Sequence, residues 1–122
     1  MTMAAFSVTQ ALVEHLKSMG YAASSRVPRK KPAEFVTVER VGGGTASKVD
    51  HPSMAVQTWA ESDARAEEMG NAVKVALLVT PPPTGVHSIR VETGPYQFYD
   101  EETGKARYQL VLNVTCQLEI QE

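Results

Sequence analysis

Apolar residues recur every three or four positions over the first twenty residues: Ala5, Val8, Leu12, Leu16 and Met19 share one helical face, and Gly20 follows as a left-handed cap. This spacing predicts a first helix over Thr2–Met19. Tyr21–Pro32 holds two prolines and the basic run Arg26, Arg29, Lys30, Lys31, which suits a loop or a sheet edge. The β-branched run Phe35–Val41 predicts a strand, stopped by Gly42-Gly43-Gly44, with a flexible connection extending to Pro52. In Ser53–Ala60 the pattern alternates again. Met54, Val56 and Thr58 fall on one side and Ala55, Gln57 and Trp59 on the other, so a second strand partly covered on both faces is expected, paired with the first.

Ser62 is a good helix N-cap with Asp63 in the first turn, and Met69, Val73, Ala76 and Leu77 repeat at helical spacing until Pro81-Pro82-Pro83. A second helix over Asp63–Val79 follows. Val86–Thr93 has strand composition, and Tyr96–Tyr99 leads into a polar hairpin turn, Asp100-Glu101-Glu102-Thr103-Gly104. From Ala106 to Ile120 every second residue is apolar, which predicts an unusually long strand with one buried face, long enough to reach beyond its own domain and pair with a neighbour. The expected fold is α+β: a mostly antiparallel sheet with a long C-terminal strand and two helices packed on it, in the order α-β-β-α-β-β-β.

A length of 122 residues fits one domain, 1–122, and an apolar content of 43% excludes disorder throughout. The net charge of −2 gives no global field toward nucleic acid or anionic lipid, so either would need a local patch. The charge is uneven, however: residues 1–61 hold seven basic and five acidic side chains, residues 62–122 five and nine. Such an imbalance can guide head-to-tail contact between copies. No apolar stretch reaches the about 20 residues that span a bilayer, and the start lacks a cationic leader, so neither membrane nor secretion is expected. The single cysteine, Cys116, excludes an internal disulfide and sits on the buried-looking face of the last strand.

Candidate chemistry is sparse. Gly42–Lys48 has three glycines and a Ser-Lys pair but not the spacing of a phosphate loop, in which Gly-Lys-Ser/Thr opens a helix. His15, His51 and His87 could ligate a metal with Asp50 or Asp100 but share no ligand spacing. No strained Gly-x-Ser-x-Gly elbow supports a nucleophile. No cofactor, metal or catalytic residue is assigned, and an assembly role is favoured over an enzyme. Trp59 could anchor a partner or belong to the core. Arg26–Lys31 could meet phosphates, though without interleaved aromatics for stacking.

One family brings these pieces together. The segments Glu34–Gly43, Asp50-His51-Pro52 and Val56-Gln57-Thr58-Trp59-Ala60, an Ala-rich helix, Gly94-Pro95-Tyr96 and Arg107-Tyr108-Gln109-Leu110 resemble, in their order, the tail terminator (tail-completion) proteins of long-tailed bacteriophages, over about Phe6 to Leu118. The resemblance implies a non-enzymatic virion protein, assembled in the host cytoplasm. It would form a ring, usually a hexamer, at the head-proximal end of the tail, where it caps the tail tube, stops polymerisation and meets the head–tail connector, with DNA passing through the lumen. By the same analogy the strand Ala106–Ile120 would sit near the lumen or a subunit boundary. The interface candidates are Arg26, Arg29, Lys30, Lys31, Gly42, Gly43, Gly44, Lys48, Asp50, Trp59, Asp100, Glu101 and Glu102. A neighbouring connector or stopper ring is the alternative within that class. A small nucleic-acid-binding module using Arg26–Lys31 is the alternative outside it.

Overall fold

The computed structural model describes residues 3–98 and 106–121. Its elements run β1 (Met3–Ala5), α1 (Val8–Ser18), β2 (Ala23–Ser24), β3 (Phe35–Ala46), β4 (Val49–Ala60), α2 (Asp63–Val79), β5 (Val86–Gln97), β6 (Ala106–Gln117) and β7 (Glu119–Gln121). Five strands form one sheet in the order β2-β3-β4-β6-β5, with β2 and β3 parallel and the other pairs antiparallel, while β1 and β7 pair antiparallel by themselves. This corrects the expected order α-β-β-α-β-β-β. The described chain begins and ends on short strands that pair with each other, another short strand precedes β3, and the sheet is mixed.

Helix α1 starts at Val8 instead of Thr2 because residues 3–5 are drawn into pairing with β7, and the Phe6 N–H continues that pairing by donating to the Leu118 carbonyl at 3.1 Å. Ser7 then caps the helix, its Oγ accepting from the Gln10 N–H at 3.2 Å. At the other end Gly20, at φ 96°, donates to the Lys17 carbonyl and closes the helix as a left-handed cap. Within Tyr21–Pro32, read as a loop or edge, the Ala22 carbonyl accepts from the Val36 N–H at 2.9 Å and starts the short parallel pair β2–β3.

The largest departure from the sequence reading lies between Gly42 and Pro52. No flexible connection is present there: β3 and β4 form a continuous hairpin of two twelve-residue strands. Its turn is Ser47-Lys48, both at positive φ (52° and 64°), as a two-residue type I′ connection demands. A register shift between Arg40 and Gly42 bulges the strand at Val41. Gly43, at φ 91°, then passes so close to β4 that a Cβ would lie 2.0 Å from the His51 carbonyl oxygen. The glycines therefore permit tight pairing at a twisted part of the hairpin.

Both helices cover the same face of the sheet. Val8, Leu12, Val13 and Leu16 of α1 and Ala66, Met69, Val73 and Leu77 of α2 share one core with Val36 and Val38 of β3, Met54 and Val56 of β4, and Leu110, Leu112, Val114 and Cys116 of β6. Gly70 lets α2 approach β5, where an added Cβ would sit 2.9 Å from Pro95. The alternation in β6 buries one face, yet the strand ends at Gln117 and lies inside the sheet, paired with β4 on one side and β5 on the other. It neither projects nor forms a sheet edge. Those edges belong to β5 and to the β2–β3 side.

Candidate functional site

The sheet face opposite the helices carries the most organised polar chemistry of the described chain. Strand alternation sends Phe35, Thr37 and Glu39 of β3, Ala55, Gln57 and Trp59 of β4, and Arg107 and Gln109 of β6 to this side. Thr37, Gln57, Gln109 and Tyr96 are direct partners in register across β3, β4, β6 and β5. Their side chains form one hydrogen-bonded row: Thr37 Oγ1 donates to Gln57 Oε1 at 3.2 Å, Gln57 Nε2 to Gln109 Oε1 at 2.7 Å, and Gln109 Nε2 to the Tyr96 hydroxyl at 2.5 Å. Trp59 Nε1 feeds the row by donating to Thr37 Oγ1 at 3.1 Å. The donors all point the same way along the row, so each amide and hydroxyl is fixed by the next.

A second row stacks beside it. Phe35 and Trp59 lie 5.2 Å apart at 14°, and the Arg107 guanidinium sits 4.6 Å from the Trp59 ring centroid and 4.2 Å from that of Phe98. Arg107 Nε also donates to the Phe98 carbonyl at 3.2 Å and Nη1 to Gln57 Oε1 at 3.4 Å. Over these rows lies a trough of about 410 Å³, rimmed by Arg26, Val27, Val41 and Phe98. Trp59 is thus a floor residue, 1% exposed. As an interface candidate it acts only through what lies over it.

The other sequence candidates scatter. Arg26, Arg29, Lys30 and Lys31 are exposed in the segment between β2 and β3, none in an ion pair among the described residues, and only Arg26 reaches the trough. Gly42, Gly43 and Gly44 are strand residues, and Lys48 occupies the hairpin turn. Asp50 is buried in β4 and held bidentately by Arg40, at 2.6 and 2.9 Å, so it is an internal brace and no exposed contact. Hydrogen bonds from Arg40 keep its carboxyl below the ordinary carboxylate range, against the opposing effect of burial. Asp100, Glu101 and Glu102, with the turn read there, lie outside the described residues.

Gln57 and Gln109 were visible only as polar members of alternating strands, and Arg107 and Phe98 gave no signal of stacking until the register was known. Burial pushes the Cys116 thiol up, away from the reactive thiolate. His15, near the end of α1, has its pKa lowered by burial and leaves Nε2 without a partner. Among the described residues no three His, Cys, Asp or Glu side chains group as metal ligands, and no helix is long and apolar enough to cross a membrane. The arrangement offers a surface with fixed amides, a stacked guanidinium and a partly apolar rim that carries both Arg26 and Glu39. Comparison with protein-family models gives no match, and comparison with curated proteins gives none either.

Proposed function

We propose that this chain is a virion structural protein of the tail-terminator kind, a non-enzymatic ring subunit that caps the tail tube of a long-tailed phage and joins it to the head connector. The observation that carries the reading is where the resembling segments fall. Glu34–Gly43, Asp50–Pro52, Val56–Ala60, Gly94–Tyr96 and Arg107–Leu110 lie on or at the start of four strands of one sheet, β3, β4, β5 and β6. Several short motifs spread over the chain therefore meet in one sheet.

The layering supports an assembly role as well. Both helices cover one side of the sheet, and the described residues leave the other side with a trough and half-exposed Tyr96 and Phe98. A sheet is stable with both faces covered or with one face wet, and a wet face bearing aromatic rings suits a protein contact. In the terminator reading this face is a candidate contact between subunits or with the tube.

End-labelling of tail tubes tests the reading. Gold-labelled chain mixed with its virus's tail tubes should decorate the head-proximal end alone in electron micrographs and halt further growth there. Decoration along the tube wall, or tubes that keep growing at the labelled end, would overturn it.

A further inference from the structure

We infer that the open sheet face binds single-stranded nucleic acid, the cations of the Arg26–Lys31 segment at its rim holding phosphates while half-exposed Phe98 and Tyr96 stack bases. Strand binding does not depend on ring closure. A subunit or tube seated on the same face would exclude the strand, so the free chain is the form to test.

The charge comes from one stretch. Residues 21–33 hold Arg26, Arg29, Lys30 and Lys31 and no acidic residue. All four cations are exposed and outside any ion pair among the described residues. The next acid along the chain, Glu34, is already held by Arg65 through both carboxylate oxygens, at 2.5 and 3.0 Å, and does not offset them. Arg90, exposed and placed by its register with Asn113 on the same sheet face, adds a fifth cation. Against these stands Glu39, the one acidic side chain lining the trough. Cations in this excess attract a polyanion in a salt-dependent way.

The sequence interleaves no aromatic residue with the basic run, but the fold supplies two from elsewhere. Phe98 lines the same trough as Arg26, and Tyr96 ends the amide row beside it. They are 39% and 37% exposed. Every base has a flat π face, so such rings take bases of any sequence. The floor adds hydrogen-bonding capacity: after the bonds within the row, Gln57 keeps one amide N–H, and Gln109 keeps one N–H and one acceptor lone pair. Side-chain amides of this kind bond base edges.

The same features select an unpaired strand. In a duplex each base face is covered by its neighbours and each pairing edge by its partner, which leaves the rings and amides of a sheet face nothing to meet. A single strand offers phosphates, ring faces and base edges together.

Fluorescence anisotropy of a labelled oligothymidine strand tests this on the full chain. Between about 50 and 200 mM salt the affinity should fall about 50-fold, the dependence expected when four cations neutralise phosphates of a single strand. Lys30→Ala combined with Lys31→Ala should reduce that fall to about sevenfold. Phe98→Ala should weaken binding about 5- to 150-fold at either salt with the salt dependence kept, and Glu39→Gln should tighten it. Should Phe98→Ala alter the circular dichroism spectrum, Phe98→Leu, which keeps apolar bulk but cannot stack, takes its place. No binding by the wild type at the lower salt, or wild-type affinity in the Phe98 variant, overturns the inference. A duplex of the same length, or vesicles rich in phosphatidylserine, bound as tightly as the strand would overturn it as well, because the loop would then be a general anion surface.

Discussion

Substituting Gly43 and its neighbour Gly44 separately by alanine distinguishes a paired hairpin from a flexible connection. At Gly43 the new Cβ would meet the His51 carbonyl oxygen at 2.0 Å and Pro52 Cα at 2.7 Å, on a residue at φ 91°. A left-handed φ costs a non-glycine residue about 1–2 kcal/mol. The carbonyl oxygen must also retreat by more than an ångström to reach ordinary contact, which breaks one or two hydrogen bonds at about 1 kcal/mol each. Together the cost is about 2–4 kcal/mol, and it has a ceiling. The outer part of β3 can peel from β4 while β4 stays paired to β6 through Val49↔Gln117 and Asp50↔Cys116. At Gly44 nothing lies within 4 Å and φ is not positive, so alanine should be neutral or stabilise by up to about 1 kcal/mol. Urea denaturation gives both values, and hydrogen exchange at residues 44–46 reports whether the tip has opened in Gly43→Ala. Equal stabilities for the two variants, within about 0.5 kcal/mol, would refute the tight pairing.

Other expectations follow from the same geometry. Arg40→Met removes the partner of the buried Asp50 carboxylate; because the Arg40 head is over a third exposed, the loss at pH 7 should be about 1–2 kcal/mol, below the cost for a fully buried pair. Asp50 has a lowered pKa when folded, so its contribution is complete above the unfolded value near 3.9 and disappears as pH falls through the folded one. The gap between wild type and Arg40→Met, read from urea curves at pH 7, 5 and 3, should therefore narrow as pH falls, beginning where the unpaired Asp50 of the variant, raised by burial, takes up its proton; a constant gap contradicts the assignment. Gln109→Leu leaves Gln57 Nε2 without its acceptor and the Tyr96 hydroxyl without its donor, and should cost about 1–3 kcal/mol in thermal unfolding, whereas an unchanged midpoint would mean that solvent replaces the row.

The elements with a strong period were legible in the sequence. Helix α2 has the bounds that Ser62 and the triple proline suggested, and β6 follows the alternation Leu110, Leu112, Val114, Cys116. What escaped was decided by pairing at a distance. Residues 3–5 leave the helical pattern because a strand at the other end of the chain accepts them, and Ala23–Ser24 becomes a strand only through β3. The Ser47-Lys48 turn lacks the Asn-Gly or Asp-Gly pair by which such hairpins are read, so the glycines before it looked like an end of structure. The open face was half legible. Alternation placed Gln57 and Trp59 on one side of β4, but the row to Gln109 and Tyr96 depends on the register of four strands. Asp50 looked available because its partner lies ten residues away, across the hairpin.

The proposal that this chain is a ring subunit is tested most directly by the mass of the particle in solution. Multi-angle light scattering across a wide concentration range, with negative-stain images of the same samples, should give one discrete mass near six subunits and annular particles at the upper concentrations. A monomer throughout, with no rings even when tail-tube protein is added, would contradict the account.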